Sequence, residues 1–260
     1  MSLHLIDRIT VEDDGEGDAV VCLHGLGGSA NTWTPLMGAL ARHRVIRPEL
    51  PGSARSRVEG PLSIERMADA VQSVCARLNI QRAHFVGHSM GTIVCQHIAV
   101  GNPKLVRSLA LFGPVQALGE PARESVRARA GKARDGGLPA MHEIVQGLLS
   151  GALSADTRAR QPLAVAFVRE SLQRQDPLAY ARSCEALADA QAAAIERIDV
   201  DTLLVTGDED AIAPPQAVRA IASRIGNARV VVLNRCGHWT PIERAEECSR
   251  ELREFLGRIR

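Results

Sequence analysis

Short, nearly continuous apolar runs punctuate the first part of the chain, with longer stretches of helical spacing between them. The runs "AVVCLHG" (19–25), "HRVIRPEL" (43–50), "AHFVGHS" (83–89) and "SLALFG" (108–113) are predicted strands. They are rich in Val, Leu, Ile and Cys, with little polar alternation, which is the pattern of strands buried on both faces of a parallel sheet. The segment "LHLIDRITVED" (3–13) alternates more loosely and predicts an antiparallel hairpin at the sheet edge. Between the runs, Ile64, Met67, Ala68, Val71, Val74, Cys75 and Leu78 recur at i, i+3, i+4 and i+7, which predicts a helix over 63–78. Ser63 is its N-cap and Asn79 its end. A second helix over 91–100 stops at Gly101-Asn102-Pro103.

From about 114 to 197 the strand signals vanish. This Ala-, Arg- and Gln-rich stretch carries helical patterns near 123–134, 139–149, 156–173 and 177–194. Strands then resume at "DTLLVTG" (201–207) and "ARVVVLN" (228–234), flanking a helix over 215–225. A final helix opens at Thr240-Pro241-Ile242-Glu243, a capping-box pattern with Pro at the first helical position. Alternating strands and helices imply an α/β class with right-handed crossovers, and the all-helical block interrupts that domain rather than following it.

Composition narrows the classes. The 260 residues are 45% hydrophobic and 23% charged, the balance of a soluble globular protein able to bury a large core without disulfides or metals. A net charge of +1 argues against general attraction to nucleic acid. The one basic stretch, "RESVRARAGKAR" (123–134), reads as the solvated face of a surface helix. No apolar run is long enough to span a membrane, and the N-terminus lacks a basic start followed by an apolar segment. The six cysteines (Cys22, Cys75, Cys95, Cys184, Cys236, Cys248) are scattered and predict free buried thiols. The expectations are a cytoplasmic protein, monomer or homodimer, acting on a small molecule, with no nucleic-acid or membrane partner.

Chemistry enters with Gly87-His88-Ser89-Met90-Gly91, a Gly-x-Ser-x-Gly pentapeptide between a predicted strand and a predicted helix. That context is the one a nucleophile elbow needs. A serine hydroxyl requires a base within hydrogen-bond reach and a carboxylate to orient the base. Asp210 follows one later strand, three residues past Gly207, and His238 follows the next, so acid and base come in the order the elbow demands. Asp208 is assigned to turn capping, Glu209 to solvent and Cys236 to packing. The early loop "HGLGGS" (24–29) offers a second backbone donor: Leu26 N–H, paired with Met90 N–H, would form an oxyanion hole. His24 and His88 read as supports for these loops.

Together "HGLGGSANTW", "GHSMG", "GDEDAIAPP" and "CGHWTPIERAEE" resemble the α/β-hydrolase superfamily, in its capped group, and within it the 3-oxoadipate enol-lactonases and related small-ester hydrolases. The resemblance implies a mostly parallel eight-stranded sheet with helices on both faces. It also implies a core of residues 1–113 and 197–260 and a helical cap over 114–196. By this resemblance Ser89, Asp210 and His238 are catalytic, Leu26 and Met90 hold the oxyanion, and no metal or organic cofactor is needed. Trp33 and Trp239 are the candidates for substrate contact, with Trp33 alternatively anchoring the first helix to the core. The cap arginines (Arg158, Arg160, Arg169, Arg174, Arg182) could grip a substrate carboxylate, though each reads as a surface residue. One loop departs from the family pattern: "ELPGSARS" (49–56) has Glu49 for Asp and Ala54 for Gly, which puts its conformation in question. The implied activity is hydrolysis of a small carboxylic ester or lactone. A C–C bond hydrolase of a diketone and a ligand-sensing receptor on the same scaffold are the alternatives.

Overall fold

A computed structural model describes residues 1–259; residue 260, the end of the expected core, lies outside the described residues. Eight strands form one sheet: β1 (Ser2–Ile6), β2 (Ile9–Asp14), β3 (Ala19–Leu23), β4 (Arg44–Pro48), β5 (Ala83–His88), β6 (Val106–Phe112), β7 (Thr202–Gly207) and β8 (Ala228–Leu233), in the order β1-β2-β4-β3-β5-β6-β7-β8. The first two strands join antiparallel and all other neighbours from β4 onward run parallel. The edge hairpin turns on Asp7 and Arg8, both at positive φ, as a two-residue turn matching strand twist requires.

The period-two alternation of a strand sorts side chains between two layers. On β3, Val21 and Leu23 face one layer while Val20 and Cys22 face the other; Phe85 and Val86 of β5 divide the same way. The first layer is covered by α1 (Ile64–Arg77) and α2 (Met90–Gly101). The second is covered by a 3₁₀ helix (Ala30–Ala39) and the C-terminal helix, which places Trp33, Leu36, Leu252 and Phe255 together. Ser63 Oγ caps α1 by accepting from Arg66 N–H at 3.2 Å.

Between β6 and β7 lie α3 (Glu120–Ala152), α4 (Ala155–Arg160), α5 (Pro162–Gln173) and α6 (Pro177–Ala188). Gly137, at φ 57° and ψ −142°, breaks α3 into two arms, and these arms are the separate helices expected near 123–134 and 139–149. Beyond β7 come α7 (Pro215–Ala222), α8 (Thr240–Glu243) and α9 (Ala245–Arg258). The expected capping box at Thr240 is corrected: the cap residue is Trp239, one position earlier, and the helix breaks at Arg244 before α9. Glu243 still accepts from the N–H of that cap residue, and its other oxygen reaches beyond the helix to Ser154 and Gly237.

The departing loop holds its shape through charge. Glu49 accepts from Arg55 N–H at 2.8 Å and from its guanidinium at 2.9 and 3.0 Å, and Arg55 reaches on to Glu12 at 2.7 Å. Ala54 takes φ 48° where the family pattern has glycine, and its N–H is tied to Gln175 of the helical insertion at 2.9 Å.

Candidate active site

At the carboxyl end of β5 the chain turns through Ser89 at φ 50° and ψ −121°, a conformation L-residues rarely hold, and enters α2 at Met90. The flanking glycines follow from close approach. A Cβ on Gly91 would lie 2.4 Å from the Leu23 carbonyl oxygen, and one on Gly87 would lie 2.8 Å from the Gly91 carbonyl oxygen. Ser89 N–H donates to Phe112 O at 2.9 Å, fixing the elbow to the neighbouring strand.

The loops after β7 and β8 bring their chemistry to the same point. His238 Nε2 lies 2.8 Å from Ser89 Oγ, and His238 Nδ1 lies 2.9 and 3.1 Å from the two carboxylate oxygens of Asp210. Asp210 Oδ1 also accepts from the N–H groups of Ile212 (2.9 Å) and Ala213 (2.8 Å). Burial alone would raise the Asp210 carboxyl, but the His238 charge and hydrogen bond, with those two N–H groups, outweigh it and bring the pKa down to about 2. An ionised Asp210 holds the proton on Nδ1, which leaves the Nε2 lone pair facing the serine hydroxyl. Asp208 accepts from Cys236 N–H at 3.0 Å, while Glu209, though exposed, accepts from Ala155 N–H of the insertion at 2.8 Å.

Two further histidines brace the site. His24 Nδ1 donates to Gly25 O at 2.8 Å and its Nε2 accepts from Leu50 N–H at 3.0 Å, with burial lowering its pKa. His88 Nε2 donates to His238 O at 2.9 Å; burial, reinforced by the neighbouring His238, lowers it to about 3, so it stays neutral. Cys236 is buried, and desolvation pushes its thiol far up, which makes it inert as a nucleophile.

The order of the sheet also places the loop that carries Leu26. β3 and β5 are neighbours, with Leu23 opposite Gly87, so the loop after β3 lies against the elbow. Contact is close enough that a Cβ on Gly25 would sit 2.9 Å from Ser89 Cβ. Met90 opens α2, so its N–H has no acceptor within the helix, and among the described residues Leu26 N–H donates to no acceptor. Leu26, Ser89, His238 and Trp239 line a cavity of about 360 Å³ roofed by the insertion.

Trp33 does not reach that cavity, which corrects its assignment to substrate contact. It is fully buried in the opposite layer, with its ring 5.9 Å from Phe112 in an edge-on arrangement. The 3₁₀ turn carries its side chain under the sheet, so the anchoring role is the one realised.

The model of the alpha/beta hydrolase fold family matches residues 18–245. The chain belongs to that family. It is similar to a 2-hydroxymuconate semialdehyde hydrolase of Pseudomonas sp. (strain CF600), 30% identical and covering 96% of this chain and 90% of that protein. The enol-lactonase of Burkholderia xenovorans LB400 has a similar structure, with a TM-score of 0.90, 29% identity and coverage of 98% and 100%. A thermophilic esterase from Thermogutta terrifontis superimposes with a TM-score of 0.91 at 24% identity, covering 99% and 98%, and shares the fold.

This α/β hydrolase lines its cavity with residues the sequence reading missed. None of the five singled-out insertion arginines reaches the cavity, whereas Arg129 does, together with Ser125 and Tyr180. The signal was present: Ala122, Ser125, Val126 and Arg129 are spaced as one helix face, and all four line the cavity. Glu243 is the other omission. Its buried carboxylate accepts from Ser154 N–H (2.8 Å), Gly237 N–H (3.0 Å) and Trp239 N–H (3.0 Å), joining the insertion to both flanks of His238.

Proposed function

We propose that this hydrolase cleaves a small carboxylic ester or lactone through an acyl-enzyme. The unbroken line Ser89 Oγ–His238 Nε2 (2.8 Å) and His238 Nδ1–Asp210 (2.9 Å) at the foot of the cavity carries the reading. Ser89 attacks the carbonyl while His238 takes its proton and returns it to the leaving oxygen. Asp210 stabilises the imidazolium as it forms. The N–H groups of Leu26 and Met90 receive the negative charge of the tetrahedral intermediate, and the start of α2 favours that charge. Water activated by His238 then releases the acyl group. Residues 114–196 act as the cap that closes the cavity over the core, and the apolar lining (Leu118, Val126, Leu148, Leu172, Leu187) suits a short carbon chain.

Ser89→Ala is expected to abolish turnover of p-nitrophenyl butyrate while the thermal transition is retained. Unchanged turnover in a folded Ser89→Ala protein overturns the reading. The 30% identical relative named as a semialdehyde hydrolase favours a second reading, hydrolysis of a C–C bond with the same three residues. Comparing kcat/KM for a ring-cleavage diketone with that for simple esters and lactones separates the two.

A further inference from the structure

Arg129 stands apart from the other basic residues of the first arm of α3. Arg127 pairs with Asp189 at 2.7 Å, Lys132 with Glu143 at 2.7 Å, Arg134 with Glu185, and Arg123 approaches Glu120 at 4.0 Å. Among the described residues Arg129 meets no carboxylate, and its Nε is buried without a hydrogen-bond partner. Its helix face explains this, because Arg129 turns toward the cavity rather than toward the acidic residues of α6. Among the described residues the lining holds no Asp, Glu or Lys, so Arg129 is the one fixed charge they place on its wall.

A second incompletely satisfied group faces the same space. Tyr180 lines the cavity from α6, and among the described residues its buried hydroxyl meets no partner stronger than the neighbouring Cys184 thiol. Arg129 also approaches the Cys184 thiol, and its charge acts on both Cys184 and Tyr180. A guanidinium and a buried phenol that share only a thiol, a weak hydrogen-bond partner, keep strong donors unsatisfied, which is unfavourable unless a ligand completes them. A planar fork of N–H donors matches a carboxylate, and a phenol O–H adds a third donor from another direction.

We propose that Arg129 and Tyr180 form an anion subsite, and that the substrate is a small ester or lactone bearing a carboxylate which this pair anchors while the scissile carbonyl faces Ser89. The inference rests on the cavity being the substrate site of the proposed hydrolase. The subsite lies on the cap and the nucleophile on the core, so a substrate held at both ends draws the two together. A neutral ester of the same length lacks the anchor and binds less tightly.

The test compares monomethyl glutarate with dimethyl glutarate, which differ by one negative charge on the same carbon chain. Calorimetric titration of the Ser89→Ala protein reads binding without turnover, and the monoester is expected to bind about tenfold or more tightly than the diester. In that background Arg129→Gln is expected to erase the preference, Arg129→Lys to keep part of it, and Tyr180→Phe to weaken it without loss of fold by circular dichroism. Equal binding of the two esters, no binding of the monoester, or a preference untouched by Arg129→Gln overturns the proposal. Turnover by the unsubstituted enzyme is measured separately. Preference without turnover of either ester leaves the anion subsite standing and overturns the hydrolase reading, and turnover without preference does the reverse.

Discussion

His238 N–H donates to the carbonyl of Ala152 at 2.8 Å, so the last residue of α3 and the proposed base share a hydrogen bond. Glu243 reinforces the same seam through Ser154, Gly237 and Trp239, placing a buried carboxylate on both sides of the base. Glu243→Gln replaces one acceptor oxygen by an NH2 group that faces backbone donors. The expected result is a loss of about 1–3 kcal/mol of stability and a fall in kcat of about tenfold to a hundredfold as the imidazole drifts from Ser89. KM should change far less than kcat. Urea denaturation and steady-state kinetics check both, and a rise in KM with kcat intact would assign Glu243 to cavity shape instead.

Trp33 supplies the contrasting case. Its indole is buried opposite the cavity and its Nε1 has no hydrogen-bond partner, so replacement costs packing alone. Trp33→Ala is expected to destabilise the protein by about 3–5 kcal/mol. Trp33→Phe, which fills most of the space, should fold with KM for p-nitrophenyl butyrate within about twofold of the parent. A marked KM shift in well-folded Trp33→Phe protein would return this residue to substrate contact.

The fold was legible because each central strand is apolar on both faces, and that signal survives without any knowledge of neighbours. The alignment of Ser89, Asp210 and His238 was legible because each follows a strand, and the ends of parallel strands converge. Trp33 was not, because it lies on a 3₁₀ helix whose rotation decides which layer receives the indole. Arg129 was hidden inside a basic run in which its neighbours do face acidic partners across the surface. Glu243 was read as the reciprocal half of a capping box at Thr240. With the cap at Trp239 its carboxylate keeps a cap bond, while the second oxygen takes Gly237 and Ser154, contacts that helix spacing alone does not show.

Acid should unfold this protein through buried histidines, among them His84 away from the site, held at about 4, and His88 at the site. His88 is held at about 3 against an ordinary value of 6.5, chiefly by burial. Between those values the unfolded chain binds a proton that the folded state refuses, so stability falls as pH falls. One such group contributes a slope of about 1.4 kcal/mol per pH unit within that window. Asp210 acts in the same sense lower down. Its folded value near 2 against 3.8 means its contribution is present above the unfolded pKa and is lost as pH drops through the folded one. Urea midpoints measured from pH 7 to pH 4 should therefore decline steadily rather than pass through a maximum. In His88→Gln, which cannot titrate, the decline should be shallower by about one proton. An unchanged slope in that variant would show that His88 is protonated in the folded state, and the neutral donor to His238 O would have to be abandoned.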